Sequence, residues 1–256
     1  MWNANITSLN FTGFLAPTWP NGSVMAGYDP LSCGACEWDS ISYEGVPWEY
    51  SFSTPHDIST LITLMGGPET FERRLDIMFT PQLSGSDVGG NGIGSMIFNP
   101  GNEPSFMTPF LYNYVSGKQS KSVLRAKNVV DEFYGNGRSG LPGNDDAGAL
   151  SSWLVWVMMG LYPVATQPVY LLLSPWFDEF SMSVGNGTLK VIADRQGGEG
   201  VYVQSMRVNG EAWTKSWIGH EVLVQDGEVT IEFVLGDEMT AWDTGDVPPS
   251  PGSLEL

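Results

Sequence analysis

Positive charge is scarce in this chain. Eleven lysines and arginines stand against 29 aspartates and glutamates in 256 residues, a formal net charge of -18. Nucleic acids and anionic membrane surfaces are held by clusters of Lys and Arg, so both are excluded as partners. Long apolar runs are also missing; the longest, Trp153 to Leu161, has the length of a buried helix and not of a membrane span. Only two histidines, His56 and His220, and two cysteines, Cys33 and Cys36, are present, and no second Cys-x-x-Cys accompanies the first, which leaves a zinc site short of ligands. The Cys-Gly-Ala-Cys segment fits a small disulfide-closed loop best, with a redox pair and half a zinc site as the alternatives. No basic start followed by an apolar stretch marks a leader at Met1.

Aromatic residues and glycine are plentiful, with ten Trp, nine Tyr, twelve Phe and 31 Gly. Hydrophobic residues make up 42%, ordinary for a globular protein with a real core. Four Asn-x-Ser/Thr sequons, at Asn5, Asn10, Asn21 and Asn186, point to the secretory pathway, with a leader absent from this sequence.

Three regions are expected. Residues 1–53 read as a loop-rich arm without sustained period. Residues 54–164 read as five helices. The first is capped by Thr54 with Pro55 and Asp57 behind it, the second opens at Pro68, the third near Pro104, and the fourth spans Ser120 to Tyr134. The fifth, Gly148 to Gly160, is apolar nearly all round and is expected to be buried. A glycine-rich loop fills 84–101. Residues 165–256 read as a small antiparallel β-domain with strands at Val169–Leu173, Phe180–Val184, Leu189–Ala193, Val201–Val208, Val222–Gln225 and Val229–Leu235, hairpin turns at Gly185-Asn186-Gly187 and Asp226-Gly227, and a Pro-rich tail from Thr244 that trails over the surface. The fold class is α+β, and five helices with alternating short and long connections fit half of a toroid of helical hairpins.

The densest chemistry lies in Gly140-Leu141-Pro142-Gly143-Asn144-Asp145-Asp146-Ala147-Gly148, two carboxylates and an amide among glycines at the mouth of the fifth helix. Such a loop suits a carboxylate base or a hard cation held by oxygens. The plainer alternative is a helix N-cap by one of the aspartates.

Several segments, taken in order, resemble one family. Tyr43-Glu44-Gly45-Val46-Pro47-Trp48-Glu49-Tyr50, Thr54-Pro55-His56-Asp57 and Leu64-Met65-Gly66-Gly67 are similar to the start of the catalytic half of glycoside hydrolase family 92. Gly101-Asn102-Glu103-Pro104-Ser105, Leu111-Tyr112-Asn113-Tyr114, Gly140 through Gly148, Gly160-Leu161-Tyr162-Pro163-Val164, Ser174-Pro175-Trp176-Phe177-Asp178 and Val208-Asn209-Gly210 continue the series. Phe106 and Met107 after Glu-Pro-Ser resemble a fungal branch, where many relatives carry His-His.

The resemblance implies a calcium-dependent, exo-acting α-mannosidase that works with inversion, often on α-1,2-linked mannose of N-glycans or mannans. It implies a β-sandwich, an (α/α)6 barrel and a small β-region, of which this chain resembles the C-terminal portion. Glu44 matches the catalytic acid and Asp146 the base. Asn102 and Glu103 match the segment that touches the terminal mannose beside the calcium, so Asp146, Asn102 and Glu103 are the candidate Ca²⁺ ligands. Trp48, Asp145 and His56 are further candidates for substrate contact, Trp48 with core packing and His56 with a packed helix start as alternatives. Glu49 competes locally with Glu44 for the aromatic shielding that raises a carboxyl pKa, but occupies a position where relatives often carry an amide. Inverting hydrolysis needs two carboxyl groups roughly 6.5–9.5 Å apart with a water between. The rival expectation is a truncated, catalytically silent product or glycan-binding remnant.

Overall fold

The structure, a computed structural model, describes residues 1–83 and 95–252. Most of the glycine-rich loop expected over 84–101 and the last four residues lie outside them. In chain order the elements are β1 (Trp2–Ser8), β2 (Phe11–Leu15), α1 (Pro47–Tyr50), α2 (Ile58–Leu64), α3 (Pro68–Met78), two 3-10 turns (Glu103–Ser105 and Thr108–Tyr114), α4 (Gln119–Phe133) and α5 (Ala149–Met159). Then follow β3 (Leu161–Pro163), β4 (Val169–Leu172), β5 (Glu179–Val184), β6 (Gly187–Asp194), β7 (Tyr202–Val208), β8 (Glu211–Trp213), β9 (Trp217–Gly219), α6 (His220–Leu223) and β10 (Gly227–Gly236). Two compact units emerge. One comprises residues 1–108, 133–150 and 250–256, and the other 109–132 and 151–249.

The first unit begins with an antiparallel hairpin, β1 on β2, inside the segment expected to be loop. What fixes it is Arg74 of α3, wholly buried. Its guanidinium donates to the carbonyls of Thr12 and Gly13 and lies 4.4 Å from the ring centre of Phe14, 5.4 Å from that of Trp48 and 5.5 Å from that of Phe11. An arginine can be buried this way because its charge is spread over a plane that stacks on aromatic faces. Burial lowers its pKa to about 10. Helix α2 starts later than expected: Asp57, not Thr54, is the N-cap, its carboxylate accepting from Thr60 N at 3.1 Å. The tail does not trail free either, since Ser250 Oγ accepts from Ser59 N and Gly252 N donates to His56 O at 2.8 Å.

In the second unit a five-stranded sheet runs in the order β5-β6-β10-β7-β8, and a three-stranded one in the order β3-β4-β9. The larger sheet departs from the antiparallel expectation at one place, where β6 and β10 pair in parallel from Gly187↔Gly227 to Asp194↔Val234. The reason is local. Val222–Gln225, expected as a strand, is entered by α6, which ends at its C-cap Val224, so Asp226-Gly227 leads from a helix into β10 instead of turning a hairpin. Leu189, Val191, Val203, Met206, Ile231, Phe233 and Leu235 form the core of that sheet. Asn113, buried, donates to the carbonyls of Leu172 at 2.9 Å and Ser216 at 2.7 Å, beside the backbone bond from Leu172 N to Ser216 O at 2.9 Å. The expected third helix is therefore two 3-10 turns. Helix α5 buries Leu150, Trp153 and Val157, yet Val155 is 54% exposed, so the expectation of burial all round holds for one face only.

Candidate functional site

Every candidate site residue lies in the first unit: Glu44, Trp48, His56, Asn102, Glu103, Asp145 and Asp146. Glu44 and Asp146 both have left-handed backbone, with φ of 57° and 42°, and Asp146 is followed by Ala147 at 64° and Gly148 at 92°. Outside glycine this conformation costs on the order of 1–2 kcal/mol per residue and is retained where surrounding structure enforces it, commonly at functional sites. Asp145 supplies the enforcement before α5, its carbonyl accepting from Gly148 N at 3.0 Å and Ala149 N at 2.6 Å. Asp146 itself is exposed.

Two glycines set the loop against the Asn102–Glu103 segment. A Cβ on Gly101 would meet the Pro142 carbonyl at 2.7 Å, and one on Gly143 would meet Gly101 Cα at 3.3 Å. Only backbone without side chains approaches so closely. Asn102, buried, turns its Nδ2 to the Glu44 carbonyl at 3.0 Å. The three stretches that carry Glu44, Asn102–Glu103 and Asp145–Asp146 are thereby brought together.

Electrostatics report the same assembly. The Tyr43 phenol is raised above its ordinary value first by a hydrogen bond to Glu44, then by burial, then by the charges of Glu44 and Asp146. The Tyr50 phenol is raised by burial and then by Glu49, Glu44, Glu103 and Tyr43. Its hydroxyl donates to the Tyr43 carbonyl at 2.6 Å. Neither tyrosine was among the candidates read from the sequence, although Tyr43 adjoins Glu44 and Tyr50 adjoins Glu49.

Glu49 is wholly buried, with Oε2 accepting from Val46 N at 3.0 Å and Oε1 from Ser105 Oγ at 2.8 Å. Burial pushes its pKa up to about 7 against those two bonds. Its carboxyl ties the chain just after Glu44 to the chain just after Glu103, which a sequence string does not disclose. Asp145 stands near Tyr134, whose phenol is raised by burial and, second, by the Asp145 charge.

Trp48 is corrected to a core residue. It has no exposed surface, its ring centre lies 4.9 Å from that of Phe14, and Nε1 donates to Ser8 Oγ at 3.1 Å, so no face remains for a sugar. His56 is exposed at the start of α2, where its carbonyl holds Gly252. Trp153, in the other unit, packs on Phe110 at 5.6 Å. Cys33 and Cys36 form a disulfide, the first of the three expectations.

Among the described residues no group of three or more His, Cys, Asp or Glu is gathered for a metal. Calcium, however, also takes amide and backbone oxygens. Asp146 and Glu103 present exposed carboxylates, and Asn102, whose Nδ2 is engaged by Glu44 O, keeps Oδ1 as an acceptor. An all-oxygen donor set of this kind fits a hard cation.

The family model of the glycosyl hydrolase family 92 catalytic domain matches residues 1–237. A protein of Arthroderma benhamiae described as an uncharacterized secreted glycosidase is 38% identical over 257 residues, covering 95% of this chain and 31% of that one. A family GH92 alpha-mannosidase from Bacteroides thetaiotaomicron, solved in complex with mannoimidazole, superposes with a TM-score of 0.80 at 29% identity, covering 93% of this chain and 32% of its own. A family GH92 inverting mannosidase of Bacteroides thetaiotaomicron VPI-5482 gives 0.73 at 27% identity, with 94% and 34% covered. The chain spans about a third of the length of these relatives.

Proposed function

Since the chain belongs to glycosyl hydrolase family 92, we propose that it carries the acid and base of an inverting, calcium-dependent α-mannosidase acting on α-1,2-linked mannose of a glycan. The observation that supports this most is the junction of the acid-bearing stretches, where Asn102 Nδ2 donates to the Glu44 carbonyl at 3.0 Å and Gly101 lies against the Pro142 carbonyl of the Asp146 loop.

In this mechanism Glu44, held by Tyr43 and by the Asn102 amide on its own carbonyl, gives its proton to the glycosidic oxygen as the bond from that oxygen to C1 breaks. Asp146, on its strained loop, takes a proton from a water whose oxygen bonds to C1 on the opposite face, and mannose leaves with its anomeric configuration inverted. Glu103 and Asn102 orient the terminal mannose. Asp146, Asn102 and Glu103 are the residues that would hold Ca²⁺, and the bound ion would supply a hard positive charge for sugar hydroxyls and water. Helices α2 to α5 are proposed as part of an (α/α)6 toroid, between an arm ending at residue 53 and a β-region beginning at 165. A secretory-pathway location is supported by the disulfide and by the exposure of all four sequon asparagines.

The test is release of mannose from an α-1,2-mannobioside, with calcium and with chelator. Glu44→Gln and Asp146→Asn are each expected to lower kcat by about a thousandfold or more, and chelation to lower it until calcium is restored. Undiminished activity in either variant removes that residue from its role. Because the chain spans about a third of its relatives, glycan binding without turnover is the second reading. A folded protein that binds mannobioside and releases nothing favours it.

A further inference from the structure

We propose that Trp38 is the platform for the leaving-group sugar, the residue that keeps the glycosidic oxygen after cleavage. This rests on Glu44 being the acid. Trp38 is 87% exposed, the most exposed of the large hydrophobic side chains in the described residues. One face of its indole is covered by Tyr43, with ring centres 4.3 Å apart and planes 24° from parallel, so the other face is open. Leaving so large an apolar face in water is costly, and an exposed aromatic of this kind is informative where scattered small apolar residues are not.

The ring is not on a slack loop. The Cys33–Cys36 disulfide closes the turn before it, with both cysteines buried, and Glu37 N and Ser40 Oγ lie 3.0 Å apart across it, as do Ser40 N and Glu37 O. Glu44 N donates to the Cys36 carbonyl at 3.1 Å, which joins the same turn to the backbone of the acid. The indole therefore continues an ordered line: Trp38 on Tyr43, and Tyr43 on the Glu44 carboxylate.

The chemistry of the acid decides which sugar lies there. An inverting acid stands beside the departing oxygen, whereas the base and its water stand across the ring. A platform continuous with Glu44 therefore meets the sugar on the leaving side. A pyranose offers a patch of C–H groups that stacks on a flat aromatic face. Glu37 and Asp39 flank Trp38 in the chain and Glu44 lies beyond Tyr43, so a neutral sugar is favoured there over a phosphorylated one.

The experiment compares kcat/KM on an α-1,2-mannobioside with that on α-mannosyl fluoride, whose leaving group has no ring, for the protein, Trp38→Ala and Trp38→Phe. Trp38→Ala is expected to lower the ratio of the two values about tenfold, mainly through KM on the mannobioside, and Trp38→Phe to recover most of it. An unchanged ratio overturns the proposal, whether both activities fall together or neither falls. If the protein itself turns over neither substrate, the mannosidase reading fails separately, and calorimetric binding of methyl α-1,2-mannobioside decides the platform. Binding about tenfold weaker in Trp38→Ala than in the protein upholds it. Equal binding, or none by the protein, overturns it.

Discussion

Among the described residues each of the two compact units buries one carboxyl group, and the pair shows how the same physics serves different ends. Glu49 in the first unit is pushed up to about 7 by burial, and Asp243 in the second to about 6 by the same cause. Both accept backbone hydrogen bonds that oppose the rise. Asp243 takes Gly117 N at 3.1 Å and Gln119 N at 3.3 Å, which fastens the start of α4. Glu49 takes Val46 N and Ser105 Oγ, which fastens the stretches bearing Glu44 and Glu103 to each other. In the second unit the buried acid holds a helix end. In the first unit the acid holds irregular chain, and irregular chain carries every candidate site residue.

The sharpest way to break that contrast is a methyl group. Gly101→Ala places a Cβ against the Pro142 carbonyl and displaces the Asp146 loop. The expected result is a fall in kcat of roughly ten- to a hundredfold, the penalty of about 1 Å of misplacement in a catalytic group. Loss of thermal stability of about 1–3 kcal/mol should accompany it. A comparable clash in the second unit, Gly200→Ala against the Gly236 backbone, should lower stability by a similar amount and leave kcat of the folded protein within about twofold. Equal kcat losses in the two variants would erase the distinction.

A smaller effect sharpens it through pH. Each group has a folded pKa above its ordinary value, so the native state binds the proton more tightly than the unfolded chain does. The associated stability is complete below about 4.5 for Glu49 and about 3.8 for Asp243, and is lost as pH rises through about 7 and about 6 respectively. Each contributes on the order of 3 kcal/mol. Melting temperature followed from pH 4 to 8 should decline, and Glu49→Gln should flatten the decline between about pH 4.5 and 7 while Asp243→Asn flattens it between about 3.8 and 6. Glu49→Gln should also change the pH profile of kcat/KM, and Asp243→Asn should not. A melting curve unaltered by both would remove burial as the cause.

The second unit was the more legible in the sequence. Strands β5, β6 and β10 largely alternate inward apolar residues with polar ones, and α4 keeps apolar residues at helical spacing, because each buries one face. What failed there was connectivity: α6 replaced a strand because four residues carry too little pattern to choose. In the first unit, β1 alternates Trp2, Ala4 and Ile6 with Asn3, Asn5 and Thr7, but none of its residues is fully buried, and what holds the hairpin is Arg74, distant in sequence. The acidic loop, Glu44 and Asn102 were visible through motif resemblance. Glu49 as a tie and Trp38 as a stacked ring were not, since burial and stacking are set by tertiary neighbours. Trp48 shows the converse, an aromatic beside the acid in sequence that the fold turns inward.

The central claim is that Glu44 and Asp146 act from opposite faces of the sugar with a water between them. Its most direct measurement is proton NMR of the mannose first released from an α-linked substrate, before the anomers equilibrate. β-Mannose appearing first is the predicted result. α-Mannose appearing first would contradict the account.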